Sequence, residues 1–230
     1  TDDGTTRITL SDGGDVTFAD GTDVITASAG TDNVRIGEGA GDSIASGGNN
    51  NVVIGKNAGT AITTGGDSVA IGTSALAAQT TGGDNVAIGH LALSTLTTAG
   101  NNVAVGDRAM LANASGENNV AVGTLAMDAN TTGEQNVAIG RDALGANTTG
   151  LGNTAVGYRA LESNTTANNN TAVGRDALDA CTTGGANTAV GREALTKVTT
   201  GAYNTGIGLE AGKEVTTGTF NTALGWRALY

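Results

Sequence analysis

The 230-residue chain has no proline, one cysteine, one histidine and an aromatic content of 3 %. Each shortage closes off a class of protein. With so few aromatic rings there is little to fill a thick globular core, so aliphatic side chains must fill a thin one. The lone Cys181 excludes an intrachain disulfide and a cysteine-based zinc site, and leaves the redox compartment unreadable. No apolar run approaches the ~18–20 residues that cross a bilayer, which argues against membrane insertion. Basic excess is missing as well: the net charge of −11 argues against nucleic acid and anionic lipid, both of which attract Lys and Arg, and favours simple solubility. No signal peptide opens the chain, and it begins at Thr1 rather than Met, so a fragment of a longer protein is expected.

What the chain has is glycine, 38 residues of it, and a repeat. A unit of seventeen residues opens with Asn, Val or Thr, a small residue, an aliphatic residue and Gly. It starts at Asn33, Asn51, Ser68, Asn85, Asn102, Asn119, Asn136, Asn153, Asn170, Asn187, Asn204 and Asn221. From Asn51 onward every step is seventeen, while the step from Asn33 to Asn51 is eighteen, with the extra residue expected in the turn at 47–50. Such regularity means identical coils stacked on one another. The expected fold is therefore all-β: a single-stranded parallel β-solenoid, or β-roll, with 17-residue coils. It comprises a twelve-coil repeat domain at 33–230 preceded by an irregular β segment at 1–32. At a rung spacing of about 4.8 Å, twelve coils make a rod of roughly 55–60 Å. The absence of proline suits it, because coils bonded above and below need every backbone N–H.

Numbered from the Asn, positions 2 and 4 are aliphatic or Thr, as in Val86 and Ile88, and alternate with period two. They read as a short strand with both side chains inward. Position 3 would then face out. It is alanine nine times, at Ala70, Ala87, Ala104, Ala121, Ala138, Ala155, Ala172, Ala189 and Ala223. An outward alanine row fits close approach of another backbone, so it is the expected interface of a homotrimer. On that reading Ala121→Glu with Ala138→Glu blocks assembly and spares the coil interior. Position 5 is Gly and position 8 Ala in all twelve units, both signs of tight space. Position 9 is mostly Leu or Met. Positions 6–11 suit one helical turn or a corner, and the Thr-Thr pair at 13–14 suits a second short strand. Position 12 is apolar at the ends of the array but Asn113, Asn130, Asn147 and Asn164 in its middle, an expected core ladder of stacked amides. Charged neighbours such as Arg141 and Asp142, or Arg175 and Asp176, mark the solvated face.

Residues 1–32 lack the unit. Thr5–Leu10, Val16–Ala19 and Val24–Ala27 read as short strands, and Asp15, Asp23 and Asp32 as turn residues. Their spacing is that of calcium-binding nonapeptides, but the tandem glycine core of those repeats is missing, so no metal is expected. Ingredients for catalysis are thin: His90 lies at a variable position without a cleft, and Cys181 reads as a small core residue. No enzyme activity and no cofactor are expected. Tyr158, Tyr203, Phe220, Trp226 and Tyr230 cluster toward the C-terminal half, as a sugar-stacking surface or, preferably, as end packing.

The strings Asn-Val-Ala-Ile-Gly at 85–89 and 136–140 and Asn-Thr-Ala-Val-Gly at 153–157, 170–174 and 187–191 resemble the head repeats of YadA-type trimeric autotransporter adhesins. The longer unit at 153–166, running from Asn-Thr-Ala-Val-Gly through Ala-Leu to Asn-Thr-Thr, is similar to repeats of bacteriophage tail fibres; adhesin coils are usually shorter. The resemblance implies a left-handed β-roll packed as a homotrimer around one axis. It also implies a structural fibre segment of a phage or phage-like particle, located in the virion and supporting contact with a host-surface glycan or protein receptor. The alternative is an adhesin head on a bacterial surface. A minor one is an ice-binding solenoid, weakened because adjacent threonines point to opposite faces. A hexapeptide acyltransferase is rejected on its different interior spacing.

Overall fold

The computed structural model describes residues 30–230. The strands expected at 5–10, 16–19 and 24–27, with Asp15 and Asp23, lie outside that range. Twelve three-residue strands follow one another at the repeat interval: β1 (Val34–Ile36), β2 (Val52–Ile54), β3 (Val69–Ile71), β4 (Val86–Ile88), β5 (Val103–Val105), β6 (Val120–Val122), β7 (Val137–Ile139), β8 (Thr154–Val156), β9 (Thr171–Val173), β10 (Thr188–Val190), β11 (Thr205–Ile207) and β12 (Thr222–Leu224). They form one parallel sheet in sequence order. Val86 pairs with Val103, and Val103 with Val120, so each strand meets its copy one repeat on. The chain is thus an all-β solenoid of seventeen-residue turns, with no helix among the described residues.

The extra residue of the first step can be placed. Ala45 N–H still bonds Thr63 O, eighteen residues on. Asn33 Nδ2 then spans fifteen residues to Gly48 O, where Asn102 spans fourteen to Gly116 O. The insertion therefore lies between Ala45 and Gly48, at the start of the turn expected to hold it.

The expected facing of the strand is reversed. Ala70, Ala87, Ala104, Ala121, Ala138, Ala155, Ala172 and Ala189 are 0 % exposed, and Ala223 2 %, inside the coil of a single chain. Positions 2 and 4 point out instead: Ile88 is 37 %, Ile139 40 % and Ile207 43 % exposed. The reason is width. A seventeen-residue turn that spends most of its length on corners encloses a narrow interior. Ala at position 3, Ala at position 8 and one Leu or Met at position 9 already fill it. Gly206, the one glycine at position 3, makes the same point: a Cβ there would sit 2.7 Å from Leu195 Cγ, so Leu195 occupies the space that an alanine methyl fills in other coils. The nine alanines are interior packing and not an intermolecular face.

The corner at positions 5–9 is neither helix nor simple turn. Gly89 has φ +141°, and Leu91 and Leu93 have φ +57° and +49°. Left-handed residues alternating with right-handed ones bend the chain too tightly for a helical turn. Gly is required at position 5 for a second reason. Successive glycines stack so closely that a Cβ on Gly89 would meet Gly106 O at 2.2 Å. Positions 13 and 14 are not a strand, but position 13 still links coils: Thr131 N–H bonds Thr148 O at 2.9 Å, and its hydroxyl donates to the same carbonyl at 3.0 Å.

Asparagine at position 1 does two jobs. Asn102 Nδ2 closes its own coil by donating to Gly116 O, and Asn102 Oδ1 accepts the N–H of Asn119 in the next. No other side chain of that length offers both a donor and an acceptor in one plane. The single exception has a built-in remedy. Where Ser68 replaces Asn, position 12 of the same coil is Gln79, whose Nε2 donates to Ser68 Oγ at 3.1 Å and to Gly82 O at 2.8 Å. Its Oε1 accepts from Asn85 Nδ2 at 3.0 Å.

Candidate interaction surfaces

Asn113, Asn130, Asn147 and Asn164 are fully buried and joined in file. Asn130 Nδ2 donates to Asn113 Oδ1 at 3.0 Å, Asn147 to Asn130 at 2.9 Å and Asn164 to Asn147 at 2.9 Å. Each amide also donates to the carbonyl three residues on, as Asn130 does to Gly133. The ladder stops at Cys181, whose Sγ contacts Gly184 O at 3.2 Å, leaving Asn164 Oδ1 without a partner. Burial pushes the Cys181 thiol up to about 11, which keeps it protonated and unreactive at neutral pH.

The outer face of the sheet is a continuous apolar strip. Position 4 supplies Ile36, Ile88, Val122, Ile139, Val173, Val190, Ile207 and Leu224, each at least 36 % exposed. Position 2 flanks it with Val in β1–β7 and Thr in β8–β12. Eleven rung steps make the strip about 53 Å long, on the order of 500 Å² at one strand's width. No charged residue occupies position 2 or 4 in any of the twelve strands.

The corner at positions 6–7 is charged. Arg141–Asp142, Arg175–Asp176 and Arg192–Glu193 pair at 3.1, 2.8 and 3.2 Å. In each the arginine is exposed and the carboxylate largely covered, and a pair with one partner in solvent contributes on the order of 1 kcal/mol. Toward the C-terminus they merge: Glu210 receives Arg227 Nε at 2.6 Å, with Lys213 and Arg192 close by, and the Arg227 hydrogen bond holds its carboxyl below the usual range. Asp179 behaves oppositely. Burial pushes its carboxyl up to about 6, against the pull of Arg159, with Glu162 and Asp176 adding to the rise.

His90 Nδ1 lies 2.8 Å from Asp107 Oδ1, both exposed at the surface. Among the described residues no three His, Cys, Asp or Glu side chains gather at a metal-sized point. No helix there is long and apolar enough to cross a membrane.

Positions 16 and 17, just before the strand, vary from coil to coil, and a notch opens there. Its floor is Gly185 and Ala186, and its walls are Asn168 and Asn169 on one side and Tyr203 on the other, around about 310 Å³. Tyr203 is 60 % exposed and stacks on Phe220, centroids 5.0 Å apart and planes within 2°. Trp226 and Tyr230 lie elsewhere, on the last coil, with Arg227 over both rings at 5.5 and 5.1 Å. Tyr158 stands apart from them, exposed at a charged corner.

No family model, curated protein or solved structure matches the chain.

Surface geometry therefore carries the functional reading. Sequence reasoning named the aromatic cluster but missed the notch and the apolar strip. The strip was hidden because alternation gives two faces without saying which is inside. The notch was signalled only by the small Gly185-Ala186 pair between larger neighbours.

Proposed function

We propose that the chain is a shaft segment of a homotrimeric fibre on a phage or phage-like particle, holding and contributing to a surface that contacts the host. The observation that carries this is the exposed aliphatic file on the outer sheet face, which runs the length of the described stack. A strip of that size on a lone chain invites association. Its regularity suits a partner with the same repeat, namely other copies of this chain.

The Val-to-Thr change at position 2 favours a parallel, in-register arrangement. Rotation about an axis along the rod sets Val beside Val in β1–β7 and Thr beside Thr in β8–β12, so buried hydroxyls meet hydroxyls. An antiparallel pair would bury the Thr rows against Val. Three copies, as in the fibres and adhesins whose repeats this chain resembles, close the strips around one axis. The result is a stiff rod carrying three copies of any binding feature, which raises avidity.

Immunogold labelling with antibody against the purified chain tests this. Gold on fibres projecting from virus-like particles supports the proposal. Gold on the outer surface of bacterial cells would replace it with the adhesin reading, and gold confined to the cell interior away from any particle would contradict both.

A further inference from the structure

We propose that the notch between Asn169 and Tyr203 is a binding subsite for a neutral saccharide, one sugar ring lying flat against Tyr203. The argument begins with shape. In most coils positions 16–17 carry at least one sizeable side chain, such as Glu134-Gln135 or Asn168-Asn169; Gly185-Ala186 is the smallest pair in the array. Removing one coil's side chains leaves two rung spacings, about 10 Å, between the flanking backbones. After the thickness of each wall, the gap is a slot one ring thick. Its volume of about 310 Å³ lies at the small end of the ~300–1,000 Å³ typical of small-molecule sites, enough for one or two sugar units.

Chemistry narrows the ligand. One wall is the face of Tyr203, fixed in orientation by the parallel Phe220 ring behind it. A pyranose presents an apolar C–H face and a rim of hydroxyls, and so suits an aromatic wall with a polar border. The border is there. Asn168 Oδ1 accepts the Leu151 N–H at 2.7 Å, which leaves its Nδ2 as the donor. The Asn169 amide and the exposed Thr166 and Thr183 hydroxyls complete the lining. No Asp, Glu, Lys or Arg lines the notch, so neither a phosphate nor an amine is favoured. A nucleobase could stack, but the chain's net charge of −11 repels nucleic acid.

This deepens the attachment reading and rests on it only for the source of the sugar, a cell-surface glycan. The slot exists in one chain, and a trimer would present three.

Saturation-transfer NMR on the full chain with glucose, galactose, mannose, N-acetylglucosamine and N-acetylgalactosamine tests it. At least one sugar should show transfer through its ring protons. Tyr203→Ala should weaken binding at least tenfold. Ala186→Gln with Gly185→Glu imports the Glu134-Gln135 pair of an earlier coil, a fold-compatible change, and should abolish binding by filling the slot. Trp226→Ala, on an exposed ring outside the slot, should leave it unchanged. Absence of transfer from all five sugars, or binding that survives both slot variants, overturns the proposal. Binding by a protein that immunogold fails to find on particles would keep the subsite and remove the fibre.

Discussion

The outer sheet face and the corner just before it are a few residues apart in every coil, yet they are built on opposite plans. The sheet face repeats one chemistry twelve times, Val or Thr and then Ile, Val or Leu. The corner changes with each turn, from Gly66-Asp67 through Glu134-Gln135 to Ala202-Tyr203. A surface that is the same at every rung can be covered only by something with the same period, and another copy of the chain has it. A surface that differs at one rung can recognise something small and local. The stack supplies stability to both, so neither must be compromised for the other.

The comparison breaks most visibly at two adjacent residues. Ala121 is fully buried and Val122 is 36 % exposed. Ala121→Glu forces an unpaired carboxylate into a dry interior, a cost of several kcal/mol, about 4 or more. Its melting temperature, followed by circular dichroism, should fall steeply and the coil should open. Val122→Glu with Ile139→Glu should leave the coil's spectrum intact and abolish assembly, read by sedimentation. Equal effects from the two faces would mean that inside and outside have been assigned wrongly.

A smaller effect tests the coil closure that holds both faces in place. Gln79→Ala should cost about 1–3 kcal/mol by leaving buried partners unsatisfied. In a Ser68→Asn background the restored Asn reaches the carbonyl itself, so the same change should cost about 1 kcal/mol less. Additive losses in denaturant titration would show that Gln79 does not stand in for the missing Asn.

The last effect, read as a change with pH, lies at position 10 beside the charged corner. Asp179 has its carboxyl raised to about 6 from an ordinary 3.8, chiefly by burial. The folded state then holds that proton more tightly than the unfolded one. Its contribution favours folding in acid and is lost as pH rises from about 4 through 6. Asp179→Asn should therefore stabilise the protein at pH 8 and leave it unchanged near pH 4. A stability difference that does not vary with pH would contradict the raised carboxyl.

The period, the parallel stacking, the invariant glycine and the middle asparagine file were legible because each is a one-residue signal repeated in phase. The facing of the strand was not. Alternation in Val86-Ala87-Ile88 says that two faces exist, and the usual assumption puts the larger side chains inside. Here the interior is too narrow for them, and only the width of the closed coil reveals it. The corner was hidden for a different reason. Leu91 and Leu93 adopt left-handed backbone that local propensity disfavours, held there by bonds between coils such as Leu93 N–H to Ala109 O at 3.1 Å. The notch at Gly185-Ala186 became visible only when neighbouring coils stood side by side.

The mass of the native particle in dilute solution, measured by light scattering, tests most directly whether the outward aliphatic strip joins copies of the chain. Three times 22.4 kDa, about 67 kDa, falling to a single chain in the Val122→Glu, Ile139→Glu variant, is the predicted result. A native mass of 22.4 kDa, or a trimer untouched by those substitutions, would contradict it.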